Sequence, residues 1–196
     1  PEPLLASAWR MNGERQEAER VLQIGIYREV IVLLQLLASY MELCREDPEK
    51  YEETCRRLEA AAGAFRMDEL HPGIMMPCYI DMARGWTELG EREKALGCLE
   101  KYTDLAAGAI YPLRLHGDAY FDLLDEWIDS ELDLGDYPPR DELLIRRSMT
   151  QALTENPAFA SLAEEPRFQA MAERLKQNEK QVRTEKSKGV QRNERC

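Results

Sequence analysis

Apolar residues along this chain recur in steps of three and four and almost never alternate. That spacing lays them along one face of a helix. The longest such segment opens at Gly13-Glu14 and carries Ala18, Val21, Leu22, Val30, Leu33, Leu34, Leu37, Ala38 and Met41. Asp47-Pro48 starts the next, with Pro in a first turn where its missing N–H is not needed, and it runs to about Ala64. His71-Pro72-Gly73 is a break. Helices are predicted over 74–89 and 91–107, divided by Leu89-Gly90, where Gly suits the left-handed conformation that ends a helix. A long helix is predicted from Pro112 to about Asp133, followed by a linker over 135–139. Helices near 139–154, 157–163 and 165–177 close the pattern, with Asn156-Pro157 and Glu165-Pro166 as turn or start signals. The expected class is all-α: a helical array over 1–135, a helical cap over 136–177 packed on it, and a charged tail over 178–196.

One pattern occurs twice. Trp9-x3-Gly13-Glu14-Arg15-x2-Ala18 returns as Trp86-x3-Gly90-Glu91-Arg92-x2-Ala95. Leu5-Ala6 precedes the first Trp as Met82-Ala83 precedes the second, and Leu22 and Leu99 each follow the last Ala by four. An internal repeat of this kind predicts a repeated supersecondary unit, here a helical hairpin. Ala6 and Ala83 let the partner helix approach, the Trp fills the gap, and the Gly makes the turn.

These residues resemble the tetratricopeptide repeat. Tyr79, Met82, Ala83, Trp86, Ala95 and Leu99 match its pattern, and Leu5, Ala6, Trp9, Ala18 and Leu22 match all but its first position. Leu34, Leu37, Ala38, Met41, Tyr51 and Cys55 fit a looser copy with one extra residue in the turn. Leu113, His116, Gly117 and Tyr120 fit the first helix of a fourth, which then departs because its helix is expected to continue through Leu124, Trp127 and Ile128 as a terminal cap. The order of the whole chain, with Leu113-x2-His116-Gly117-Asp118-Ala119-Tyr120-Phe121, Pro139-Arg140-Asp141-Glu142, Asn156-Pro157-Ala158-Phe159 and Pro166-Arg167-Phe168, resembles the carboxy-terminal regulatory region of bacterial helix-turn-helix transcription regulators. That resemblance implies a ligand-sensing or oligomerising domain whose DNA reader, an amino-terminal domain, is absent from this chain. The alternative is a stand-alone cytosolic adaptor that docks partner proteins. The tetratricopeptide resemblance further implies an inner groove lined by first helices of hairpins. It places Gln35, Ser39, Glu42, Arg84, Thr87, Tyr111, Arg114, Asp118 and Phe121 there, facing a peptide, a small ligand or a partner protein. Arg84 and Arg114 would either bind a carboxylate in bidentate fashion or pair with Glu42, Asp118 or neighbouring Glu in a solvated groove. Arrays that clamp extended peptides do so with Asn, which none of these positions carries.

Charge narrows the partners. The net charge over 196 residues is −11. From Lys176 onward seven basic and three acidic residues give about +4, which leaves 19 basic and 34 acidic residues, about −15, before it. A body this acidic repels phosphate backbones, so nucleic-acid binding by this chain itself is not expected. The basic tail reads as a solvated end or an interaction tail, with helix propensity until Gly189. Five cysteines at 44, 55, 78, 98 and 196 have no Cys-x-x-Cys spacing and no neighbouring His. Reduced thiols in a cytoplasm are expected, with no zinc site and no cofactor. The longest unbroken strongly apolar run, Val30 to Leu34, is far short of the ~20 residues of a bilayer span, and no signal peptide opens the chain.

Catalytic groupings are not readable. His71, before Pro72, suits a contact at a helix start, and His116 suits packing. Asp118, Asp122, Asp125 and Asp129, with Glu126, are expected along one helix as a solvated acidic face rather than a metal site, which would want oxygen ligands from a turning loop. An enzyme is therefore not expected. Leu143, Leu144, Phe159, Leu162, Phe168, Met171 and Leu175 offer more apolar surface than one cap requires. Part of it is expected to pair two chains into a homodimer.

Overall fold

The computed structural model describes residues 2–108, 110–111, 115–131 and 141–193, with side chains to residue 180. Among these residues all regular structure is helical, as the spacing predicts. The helices are α1 (Glu2–Met11), α2 (Arg15–Leu43), α3 (Pro48–Ala64), α4 (Met67–Leu70), α5 (Pro72–Glu88), α6 (Arg92–Ala106), α7 (Asp125–Glu131), α8 (Glu142–Thr154) and α9 (Pro166–Asn193), with a 3₁₀ segment at Pro157–Leu162. Side-chain caps mark several starts. Asp47 accepts from the Lys50 N–H at 3.1 Å, Asp141 from Leu143 at 2.8 Å, and Asn156 from Ala158 at 3.1 Å, each satisfying an amide that the helix leaves open.

The repeated motif is the same turn built twice. The Trp9 carbonyl accepts from the Glu14 N–H at 3.0 Å, and the Trp86 carbonyl from Glu91 at 2.8 Å. Gly13 sits at φ +83° and Gly90 at φ +75°, the left-handed region where a side chain is strained. Glu14 and Glu91 then share φ and ψ within a few degrees before α2 and α6 begin. In the second hairpin Lys94 lies 4.4 Å over the Trp86 ring and Lys101 5.7 Å over Tyr79, which sets α6 antiparallel to α5. Burial separates the two copies. Tyr79, Met82, Ala83, Trp86, Ala95 and Leu99 are all buried. In the first copy Ala6 and Ala18 are buried at the crossing, but Trp9 is only half-buried and Leu5 and Leu22 are 49% and 40% exposed.

Two compact units interleave along the chain. The first comprises residues 1–74 and 114–137, the second 75–113 and 138–196, so the division falls inside α5. In the first, α1 and α3 both pack on α2. At 29 residues α2 is about 43 Å long, and it runs without the turn that a tetratricopeptide array has between successive hairpins. Its core face is Tyr27, Val30, Leu34 and Met41, meeting Tyr51, Cys55 and Leu58 of α3. By length and composition α2 is also long and apolar enough to cross a membrane, and only 22% of its most apolar stretch is buried. Counting unbroken apolar runs overlooks this, because Arg28, Glu29 and Gln35 interrupt the run without changing its length.

Among its described residues, the helix expected from Pro112 to about Asp133 is helical only at its carboxy-terminal end. Residues 115–124 are loop and turn, and only α7 is helical. At Gly117 an added Cβ would stand 1.9 Å from the Phe121 carbonyl oxygen, so the backbone itself fills that space. The Asp125 carboxylate accepts from the Gly117 N–H at 2.5 Å, and Asp118 accepts from both Tyr120 and Phe121 at 2.9 Å. Short acidic side chains here cap turns in place of a helix. Asp118, Asp122, Asp125 and Asp129 therefore do not share one helical face, and His116 lies exposed in the loop, off any helix.

In the second unit α8 and α9 pack on each other and on α6. The Tyr102 hydroxyl donates to the Met149 carbonyl at 2.7 Å, and Asn178 to the Ala106 carbonyl at 3.0 Å. Arg167 reaches Glu100 at 2.9 Å and Glu93 at 2.7 Å. Phe159, Leu162, Phe168, Met171 and Leu175 are buried within the chain, Leu143 is half-buried and Leu144 is exposed. Much of the cap's apolar surface thus serves the chain's own core, with Leu144 left open.

Trp86→Ala is expected to cost roughly 3–5 kcal/mol through the cavity it leaves, and Trp9→Ala less than half of that, because its ring is already partly in water. Urea titration of each variant, followed by circular dichroism, reads the difference. Equal costs would contradict the burial contrast between the two hairpins.

Candidate functional site

The residues that the tetratricopeptide pattern assigns to one inner groove fall in both units. Gln35, Ser39 and Glu42 line up as an exposed row on α2, and Glu42 pairs with Arg45 at 2.5 Å. Asp118 stands 3.9 Å from Arg66. The backbone N–H of Phe121, then that of Tyr120, helped by Arg66, holds the Asp118 carboxyl below its usual pKa. Phe121 is fully buried. In the second unit Arg84 pairs with Asp81 on its own helix at 3.0 Å, and the Thr87 hydroxyl donates to the Ala83 carbonyl at 2.8 Å. Tyr111 donates to the Ala106 carbonyl at 3.3 Å and lies under the Arg146 guanidinium, 3.9 Å from the ring centre. Arg114 lies outside the described residues. Arg84, Thr87 and Tyr111 each have a local structural partner.

A different concavity stands open on the first unit. It has a volume of about 430 Å³ and runs along α2 over Leu22, Gly25, Ile26, Glu29, Val30 and Leu33. Pro3 and Glu2 of α1 form one wall and Phe65, just past α3, the other. Gly25 brings the first wall close: the Glu2 side chain passes 3.2 Å from where a Cβ would be. The lining is overwhelmingly apolar, with Glu2 and Glu29 its charged residues, so what fits is a mainly apolar surface, and an anion would lose its hydration there without replacement. Past the groove the same face of α2 continues as a ridge, with Leu36, Tyr40 and Leu43 exposed by 63%, 46% and 81%. Sequence reasoning missed this face. The signal was present in the steps 22, 26, 29, 33, 36, 40 and 43, a second apolar row beside the core row.

Behind α2 lies an aromatic cluster. Tyr27 meets Phe121 edge-on at 6.0 Å and Trp127 at 6.2 Å, and stacks on His71 at 6.4 Å. Gln23 fastens the loop that carries Phe121, accepting from the Leu123 N–H at 2.9 Å and donating to Asp122 at 2.8 Å. Among the described residues, neither the Tyr27 hydroxyl nor Nδ1 of His71 has a hydrogen-bond partner. Burial pushes the Tyr27 phenol up to about 12 and lowers the His71 pKa, so both groups are held neutral.

Four of the five cysteines lie among the described residues, and Cys196 lies outside them. Cys44, Cys55, Cys78 and Cys98 are free and buried. Burial raises Cys55 to about 12 and Cys78 to about 11, so neither is a thiolate nucleophile at neutral pH. Cys55 lies 3.4 Å from the Met41 sulfur, a core contact between α3 and α2. Among the described residues no three His, Cys, Asp or Glu side chains gather as metal ligands.

Comparison with protein-family models, with curated proteins and with solved structures finds no match.

His71 makes the first unit acid-sensitive. Unfolded, the imidazole takes a proton near pH 6.5, and folded it does so only at a lower pH. The unfolded state therefore binds more protons in that window, so stability present above pH 6.5 declines as pH falls towards the folded value and levels off below it. His71→Phe should flatten this stretch of a stability-against-pH curve measured in urea. An unchanged slope would show that the imidazole is not the group responsible.

Proposed function

We propose that this chain is a recognition domain: the ligand-sensing and oligomerising half of a cytoplasmic transcription regulator, built on tetratricopeptide-like hairpins, with its DNA reader on another segment. The observation that carries this reading is the open apolar groove along α2, flanked by Pro3 and Phe65 and extended by the ridge of Leu36, Tyr40 and Leu43. An exposed apolar face of this extent on a folded unit marks an interaction surface. The repeated Gly13 and Gly90 turns support the hairpin-array part of the reading. The acidic body, about −15 before Lys176, supports placing DNA contact elsewhere. Binding, rather than catalysis, is the role assigned. The partner is a peptide, a small ligand or a protein that presents apolar side chains, and the assembled form is a homodimer.

The reading frame upstream of Pro1 tests the regulator assignment. A helix-turn-helix segment in frame supports it, and a start codon immediately before Pro1 replaces it with the stand-alone adaptor. For the chain as it stands, gel-shift titration at physiological salt is expected to show no sequence-dependent binding of duplex DNA below micromolar protein. Tight, sequence-dependent binding would contradict the division of labour.

A further inference from the structure

We propose that the occupant of the α2 groove is a second copy of this chain, with the two α2 helices antiparallel about a two-fold axis between Leu34 and Gln35. This rests on the reading of the groove as a recognition surface and names its partner.

The face is self-complementary. Leu22, Ile26, Glu29, Leu33, Leu36, Tyr40 and Leu43 follow one another in steps of four and three, the spacing of a helix-pairing seam. Its amino-terminal half is concave: Leu22, Ile26, Glu29 and Leu33 lie in the groove between Pro3 and Phe65. Its carboxy-terminal half is convex, because Leu36, Tyr40 and Leu43 stand out into solvent. A two-fold axis at mid-helix places the ridge of each copy in the groove of the other, as an isologous interface requires. The facing pairs are then Ile26 with Leu43, Leu33 with Leu36 and Glu29 with Tyr40, each made twice.

The polar pair selects the direction. Glu29 is the one carboxylate in the seam and Tyr40 the one hydroxyl. Antiparallel pairing brings the phenol of one copy to the carboxylate of the other, where it donates a hydrogen bond. Parallel pairing would set Glu29 against Glu29, two like charges in an apolar seam, which discriminates against that alignment. Antiparallel helices also align their dipoles favourably. Extent is adequate as well. The exposed apolar side chains of the seam leave on the order of 500 Å² open, and the groove walls add to it, against roughly 800 Å² per partner in a standard interface.

Light scattering at micromolar concentration should give about twice 22.7 kDa. Leu36→Asp, at an exposed position, should return the mass to 22.7 kDa with helical circular dichroism unchanged. The double variant Glu29→Cys/Tyr40→Cys tests the register. Along one helix these positions are about 16 Å apart, too far for a disulfide within a chain. Oxidation should therefore give a covalent dimer on a non-reducing gel, absent from wild type and from Glu29→Cys alone. Cross-linking by Glu29→Cys alone would mean parallel pairing and overturn the proposal. A wild-type mass of 22.7 kDa with anilinonaphthalene sulfonate fluorescence that Leu33→Asp abolishes would also overturn it, while leaving the groove as a site for another partner. Co-flotation of the wild-type chain with phosphatidylcholine vesicles would assign the face to a bilayer and equally overturn self-pairing.

Discussion

α2 presents apolar side chains around more of its circumference than α1, α3 and the Phe121 loop cover. The rest of the first unit is arranged around that excess. α3 folds back along the Tyr27–Met41 face, where Met41 meets Cys55. The Phe121 loop and α7 complete the ring around Tyr27. α1 covers the helix only where Ala18 and Gly25 allow close approach. What they leave partly open is the row from Leu22 to Leu43, walled by Pro3 and Phe65 at its amino-terminal half and exposed at Leu36, Tyr40 and Leu43. Apolar burial of about 25 cal/mol per Å² is the main driving force for association as for folding, so this row is the strongest unsatisfied demand in the unit.

The two copies of the Trp-Gly-Glu-Arg-Ala turn separate local from tertiary causes. Their backbone hydrogen bonds and dihedrals agree closely, so ten residues of sequence suffice to set the turn. Their environments differ. In the second copy α8 and α9 pack on α6, whereas in the first α3 packs on α2 and Leu5 and Trp9 of α1 stay partly open. Identical residues therefore give Trp86 a buried site and Trp9 a half-open one. A motif specifies the corner, and the neighbours decide how much it buries.

Helix positions, the Asp47 and Asn156 starts and the glycine turns were legible because each is a local preference. The 112–133 segment was misread for a physical reason. Trp127 and Ile128 do lie in α7, but upstream of it Gly117 and Asp118 form a turn that the spacing of apolar residues does not reveal. Two Asp side chains then compete successfully for backbone N–H groups that a helix would have used. The local partners of the assigned groove residues were not legible for a related reason. Polar residues such as Arg84 and Tyr111 found nearby partners on their own helix or on α8. The open apolar row was hidden because Glu29 interrupts it and because the sequence does not say which of two adjacent faces of α2 the core takes.

The clasp between Gln23 and the backbone of Leu123 joins residues 100 positions apart. It bears on the order of folding. Closing so long a loop carries an entropic cost that local hairpins do not have. As the chain leaves the ribosome, α1 to α3 can form while the surface of Tyr27 is still waiting for Phe121. The intervening segment from Met75 to Leu113, which belongs to the other unit, is synthesised before that gap can close. The first unit to begin folding thus cannot finish until part of the second has been synthesised.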